Sequence, residues 1–109
     1  MNSDNENNFT YIDTENIRTI INKDNNEVEI YFKKQKNLNI SLTKRHILEI
    51  FRVKSLVDFG WNEVIMNPIQ ANICMDMILV RNICIDTEDI ICIKSKDFDK
   101  IVESIINED

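Results

Sequence analysis

Residues 27–42, EVEIYFKKQKNLNISL, decide the fold of this chain of 109 residues. Apolar residues stand at alternate positions in two short runs, Val28, Ile30, Phe32 and then Leu38, Ile40, Leu42. A period of two places such side chains on one face of an extended strand. The stretch therefore predicts two strands of an antiparallel sheet, joined by a turn at 35–37.

The flanking sequence extends this sheet in both directions. The segment from Ile17 to Ile21 precedes it, and residues 23–26 (KDNN) supply a hairpin turn, because Asn and Asp tolerate positive φ. Runs rich in Ile, Met, Val or Cys follow later in the chain, at 61–66, 73–80, 83–86 and 90–93. We therefore expect an antiparallel sheet of about five to seven strands.

Two segments carry helical spacing instead of alternation. A helix is predicted over about 43–59, with Thr43 or Ser41 as its N-cap and Gly60 placed to end it. A second helix is predicted over about 96–107, where apolar residues recur at intervals of three and four. The predicted fold class is α+β, with both helices packed on one face of the sheet.

Length and composition fit a single globular domain. Hydrophobic residues make up 43% of the chain and charged residues 29%. Residues 1–8 are polar and predict a disordered tail, which leaves 9–109 as the domain. The start lacks a basic and apolar leader, and no apolar run is long enough to cross a bilayer. We expect a cytoplasmic protein, in a bacterium or an infected host cell, with no membrane contact.

The chain carries no enzyme motif. Cys74, Cys84 and Cys92 are an odd number of cysteines, for which we expect reduced, buried thiols. His46 and Glu49 share a predicted helix face but cannot complete a zinc site alone. A single glycine excludes both a phosphate-binding loop and a dinucleotide fingerprint. We expect no metal, no cofactor and no catalytic activity.

One short motif occurs twice, as IDTENI at 12–17 and IDTEDI at 85–90. Each copy predicts a strand, a tight turn and a second strand, with the apolar ends packed inward and Asp, Thr and Glu in the turn. The acidic residues of each copy do not suffice for a calcium loop, which needs more oxygen ligands and usually a glycine.

Charge is segregated along the chain. The segments before and after 33–54 carry charges of −5 and −7, and the whole chain carries −6. Segment 33–54 carries +6, because one acid, Glu49, stands among seven bases: Lys33, Lys34, Lys36, Lys44, Arg45, Arg52 and Lys54. Such segregation marks either a binding surface or patches that neutralise one another inside the fold.

Two functions follow from this charge pattern. The first is a small acidic regulator or inhibitor that covers a basic protein surface, such as the nucleic-acid channel of a processing enzyme, in the manner of immunity proteins and phage anti-defence proteins. Its expected contact residues are the acids Glu63, Asp86, Glu88 and Asp89. The alternative is a nucleic-acid-associated regulator that binds through the basic segment 33–54, beside Tyr31. The net charge of −6 favours the first. A homodimer is left open.

Overall fold

The computed structural model describes residues 8–35, 37–56, 62–74, 76–84 and 90–107. Its elements follow in the order β1 (Phe9–Asp13), β2 (Ile17–Asn22), β3 (Glu27–Phe32), β4 (Asn39–Thr43), α1 (Lys44–Leu56), β5 (Asn62–Met66), β6 (Ile69–Ile73), β7 (Met77–Asn82), β8 (Ile91–Lys94) and α2 (Ser95–Asn107). Four strands followed directly by a helix therefore occur twice in succession. The predicted tail, 1–8, lies outside these residues apart from Asn8, whose carbonyl accepts the N–H of Lys23 at 2.7 Å.

The strands form two antiparallel sheets, in the orders β1-β2-β3-β4 and β5-β6-β7-β8. The α+β class is confirmed, but the prediction of one sheet with five to seven strands is wrong. Alternation identifies a strand without identifying its partner. Each strand here pairs with its neighbour along the chain through a short connection, and the 13 residues of α1 separate the two sets of strands.

Asparagine builds the turns of the first sheet, as the sequence predicted. Asn26 and Asn37 adopt positive φ values of 62° and 67°. Between β2 and β3, the Asn22 side chain accepts the N–H of Asp24 at 2.9 Å and the Asn25 side chain accepts that of Glu27 at 3.0 Å. These local bonds satisfy backbone groups that have no partner in the sheet.

Both sheets bury one face in a shared hydrophobic core. Its residues come from both sheets and both helices, and isoleucine predominates among them. Helix α1 contacts β4 of the first sheet, β5 and β6 of the second, and helix α2, whereas α2 contacts β8. The helices therefore do not lie on one face of one sheet as predicted, because α1 bridges two sheets.

The helix bounds agree closely with the sequence. Helix α2 begins one residue before the predicted start and ends at the predicted residue, 107. Helix α1 begins at Lys44, directly after Thr43, and its predicted last residues, 57–59, lie outside the described part of the chain. Among the residues described, no helix is long and apolar enough to cross a lipid bilayer.

A reciprocal pair of hydrogen bonds caps the start of α1. Thr43 Oγ1 accepts the N–H of His46 at 3.1 Å, and His46 Nδ1 accepts the N–H of Thr43 at 3.1 Å. This is the geometry of a capping box, with histidine in the place usually held by Glu or Gln. It confirms Thr43 as the N-cap and gives His46 a structural role that requires an unprotonated Nδ1.

The first copy of the repeated motif forms the predicted tight turn. Thr14 donates its N–H to the carbonyl of Ile17 at 3.0 Å, and Ile17 donates its own N–H to Thr14 Oγ1 at 3.2 Å, which joins β1 to β2. In the second copy, residues 85–89 lie outside the described residues. Ile90 at its end is 56% exposed, so the predicted inward packing is wrong for that residue.

Replacing Ile101 by Asp should unfold the protein. Ile101 is fully buried in α2, so an aspartate there would be a charge without a partner in the core. We expect a loss above about 4 kcal/mol, a large part of the stability of a small domain. Ile106→Asp is the matched control, because Ile106 is 52% exposed on the same helix. Circular dichroism monitors the thermal unfolding of each variant. If both variants melted at the temperature of the wild type, the burial of Ile101 in the core would be contradicted.

The stability should decrease in acid through His46. Burial, and then the nearby Arg45, lower the pKa of His46 from its ordinary 6.5. Because the pKa of His46 is lower in the folded state than in the unfolded state, its unprotonated imidazole stabilises the fold above about pH 6.5. This stabilisation is lost as the pH falls through the pKa that His46 has in the folded state. His46→Gln keeps an acceptor for the cap but does not titrate.

We therefore expect the urea midpoint of the wild type to decrease more than that of His46→Gln between about pH 7.5 and pH 5.5. Carboxylates that titrate in this range are common to both proteins, so they cancel in the comparison. Equal decreases in the two proteins would contradict the role of the imidazole.

Candidate functional site

The acidic residues predicted to contact a partner are only partly described. Glu63 lies exposed on the outer face of β5, where its carboxylate accepts a hydrogen bond from Gln70 Nε2 at 2.6 Å. Gln70 in turn accepts one from Arg81 Nε at 2.7 Å, so a polar chain crosses three strands of the second sheet. Asp86, Glu88 and Asp89 lie outside the described residues, and their role stays a prediction.

The basic residues predicted to form a nucleic-acid patch are not gathered on one surface. Lys33 and Lys34 follow the end of β3, whereas Lys44 and Arg45 begin α1 beside the β2–β3 turn, at the opposite end of that strand. Because β3 has six residues, the two ends are roughly 17 Å apart. Lys36 lies outside the described residues.

Several of these bases are neutralised within the fold. The ion pairs are Lys33 Nζ to Asp13 Oδ1 at 3.1 Å, Arg52 Nη2 to Glu49 Oε2 at 2.6 Å, and Lys54 Nζ to Asp99 Oδ1 at 3.3 Å. Two of the three acids come from the acidic segments that flank 33–54. Of the alternatives raised by the charge pattern, internal neutralisation therefore accounts for part of the segregation.

The outer face of the first sheet is a surface that the sequence analysis did not identify. Strand register places its side chains in three rows, Phe9–Asn22, Tyr11–Ile20–Glu29–Ser41 and Asp13–Arg18–Tyr31–Asn39, with Glu27 opposite Thr43 at the edge near α1. We call this set of residues the outer face of the first sheet. It is open to solvent, because the core packs on the opposite side of the same strands.

Aromatic side chains are concentrated on this outer face. Tyr11 is 63% exposed, Phe9 40% and Tyr31 38%, and both tyrosines of the chain are among them. The rings of Phe9 and Tyr11 lie beside each other on β1, with centroids 6.5 Å apart and planes tilted by 31°. Aromatic residues are more frequent in protein–protein interfaces than on the rest of a protein surface.

The same face carries an excess of negative charge. Asp13 accepts two hydrogen bonds from Arg18, at 3.1 and 3.3 Å, and Lys33 approaches it at 3.1 Å. Arg18 first, and then Lys33, lower the pKa of Asp13. Within the described part of the chain, Glu27 and Glu29 form no ion pair, so their charges remain available to a partner.

Glu29 also fixes the neighbouring tyrosine. The Tyr31 hydroxyl donates a hydrogen bond to Glu29 Oε2. This bond, and then the carboxylate charge, raise the pKa of Tyr31 above its ordinary 10. The pair therefore presents an aromatic ring with a hydrogen-bonded polar edge beside a negative charge.

The outer face of the second sheet differs in chemistry. Its exposed apolar side chain is aliphatic, Ile65 at 60% exposure, and the Glu63–Gln70–Arg81 chain covers the adjoining rows. Among the described residues, no group of three or more His, Cys, Asp or Glu side chains could hold a metal ion.

Comparison with models of protein families, with curated proteins and with solved structures finds no match to this chain.

The cysteines are more exposed than the sequence predicted. Cys84 and Cys92 are exposed and Cys74 is half-buried, so the prediction of buried thiols is wrong for the first two. On β8, Ile91 and Ile93 point into the core, and the period of two turns Cys92 outward. Cys84 follows β7, and its thiol lies 3.3 Å from Asn67 Oδ1.

Thiol labelling should distinguish the three cysteines in the folded protein. With an aromatic disulfide reagent under native conditions, Cys84 and Cys92 should react faster than Cys74, because reaction needs an accessible thiolate. Cys84→Ser and Cys92→Ser should each remove one fast equivalent, whereas Cys74→Ser should remove none. A fast phase that persists unchanged in the Cys84→Ser, Cys92→Ser double variant would contradict this assignment.

Proposed function

We propose that this protein is a non-enzymatic, protein-binding regulator or inhibitor that contacts its partner through the outer face of the first sheet. The observation that carries the proposal is the position of Phe9, Tyr11 and Tyr31 on one exposed face beside Glu27 and Glu29. No part of this arrangement is needed for the core, which lies on the other side of the strands.

Tyrosine suits a contact surface for physical reasons. Its ring supplies a large apolar area at a small cost in side-chain entropy, and its hydroxyl can still bond across an interface. Tyrosines near the centre of an interface commonly dominate the binding energy. Tyr11 and Tyr31 lie on two strands separated only by β2, so one partner surface can cover both.

The charges indicate what kind of partner fits. Glu27 and Glu29 lack cationic partners among the described residues, so burial against an apolar surface would cost free energy. A basic protein surface would supply the missing charges and would speed the encounter. The cationic channel of a nucleic-acid-processing enzyme is such a surface, and covering it would block the substrate. Phosphate groups would be repelled by the same carboxylates.

Truncation of the tyrosines should weaken binding to the partner. After capture from the native host and purification of the pair, Tyr11→Ala and Tyr31→Ala should each weaken the complex by about 2 kcal/mol, or roughly 30-fold. Ile65→Ala is the control, because it removes a comparably exposed side chain from the second sheet. Isothermal titration calorimetry gives the affinities, and circular dichroism checks that each variant is folded.

Charge reversal separates this surface from the other candidates. Glu27→Lys with Glu29→Lys should slow association and flatten its salt dependence, whereas Glu63→Lys should leave both unchanged.

The alternative function predicts a different result. A labelled single-stranded oligonucleotide would then bind. Removing the charges of Lys34 and Arg45 would lower the salt slope by about 0.7 units for each phosphate that is no longer neutralised. Oligonucleotide binding with this salt dependence, together with tyrosine variants that bind the protein partner like the wild type, would contradict the proposal.

A further inference from the structure

A cavity of about 290 Å³ lies where the first sheet meets β8 and the start of α2. Its walls come from the β1–β2 turn, the end of β3, the β3–β4 turn, the last residues of β8 and the first turn of α2. This volume is just below the range for small-molecule sites, about 300–1,000 Å³. The cavity is separate from the rows of side chains on the outer face of the first sheet.

Part of the cavity wall is apolar. Ile17, at 1% exposure, and the half-buried ring of Phe32 contribute hydrocarbon from the inner face of the first sheet. Phe32 packs at the margin of the core rather than within it. An apolar group that entered the cavity would contact these two side chains.

Two lysines from distant parts of the sequence line the same cavity. Lys34 lies in the β3–β4 turn and Lys94 ends β8, and both side chains are exposed. Neither forms an ion pair with a described residue, in contrast to Lys33 and Lys54. Two ammonium groups beside one partly apolar cavity raise the local concentration of anions.

A buried carboxylate also lines the cavity. Asp97 is 7% exposed in the first turn of α2, where the helix dipole favours its charge. Its Oδ2 accepts a hydrogen bond from Asn16 Nδ2 at 3.3 Å, which ties α2 to the β1–β2 turn. Asp97 forms no ion pair with Lys34 or Lys94. An anionic group would be repelled by Asp97 and drawn to Lys34 and Lys94.

We propose that this cavity binds a small organic anion, with an apolar body against Ile17 and Phe32 and a carboxylate held by Lys34 and Lys94. The apolar wall alone would accept a neutral molecule, and the lysines alone would accept an inorganic anion. Their combination selects a ligand that carries both features, of the size of an arylalkanoate. This site does not depend on the protein-binding function proposed above.

Two matched probes test the site. 4-Phenylbutyrate and its neutral analogue 4-phenylbutanol are titrated separately into the ¹⁵N-labelled full chain near pH 7, and amide shifts are followed by NMR. We expect phenylbutyrate to shift the amides around Ile17, Phe32, Lys34 and Lys94, and to bind about tenfold or more tightly than phenylbutanol, since a charge-assisted contact is worth about 1.5 kcal/mol or more.

Removing the lysine charges provides the second arm. Lys34→Met and Lys94→Met keep the length of the side chain, and each should weaken phenylbutyrate binding about tenfold while leaving phenylbutanol unchanged. Lys23→Met is the matched control, because Lys23 is exposed in the β2–β3 turn and does not line the cavity. It should bind both probes like the wild type.

Three results would overturn the proposal. The first is the absence of saturable shifts at the cavity up to the solubility limit of phenylbutyrate. The second is equal affinity for the acid and the alcohol. The third is equal weakening by Lys23→Met and the two cavity variants, which would indicate attraction to the overall charge. Because each variant gives its own amide spectrum, loss of folding would be seen directly and would not be read as loss of binding.

Discussion

The whole structure depends on burying the inner faces of two separate sheets in one core. A sheet of four strands with one apolar face is stable only when another layer covers that face. Helix α1 provides much of this cover, because it contacts β4 at the end of the first sheet, β5 and β6 of the second, and helix α2. Its Ile47 and Ile50 are fully buried. The two sets of four strands therefore share one hydrophobic cluster.

This constraint also explains where a binding surface can form. Inward positions of each strand must be apolar, but outward positions contribute little to the core and can vary. On the first sheet, these outward positions hold three exposed aromatic residues together with Glu27 and Glu29, which form no ion pair with a described residue.

Sequence reasoning identified the elements better than their arrangement. Alternation located β3 and β4, and the asparagine-rich turn between β2 and β3 was found because its backbone requires positive φ. The separation into two sheets was missed, since alternation holds no information about strand partners. Lys33 and Lys44 are near each other in sequence, which suggested one basic patch. They lie at opposite ends of the sheet, because the antiparallel strand β4 runs between them.

The outward orientation of some side chains could have been predicted from the sequence. Tyr31 stands between Ile30 and Phe32, and Cys92 between Ile91 and Ile93, so the period of two alone places both side chains outward. The capping role of His46 had a weaker signal, because the usual third residue after the N-cap is Glu or Gln. The cavity had none, since Lys34 and Lys94 meet only through the packing of the two halves.

The repeated order of four strands and a helix has a consequence for folding during synthesis. Every strand pairs with its neighbour along the chain, so the hydrogen bonds of the first sheet can form once residue 43 has left the ribosome. The inner face of that sheet is covered only when α1 and the second half have followed. At about 5–20 residues per second, the 66 residues that follow Thr43 take about 3–13 seconds to synthesise. For that interval the apolar face of a complete meander is exposed, and it is the part of the nascent protein that a chaperone would bind.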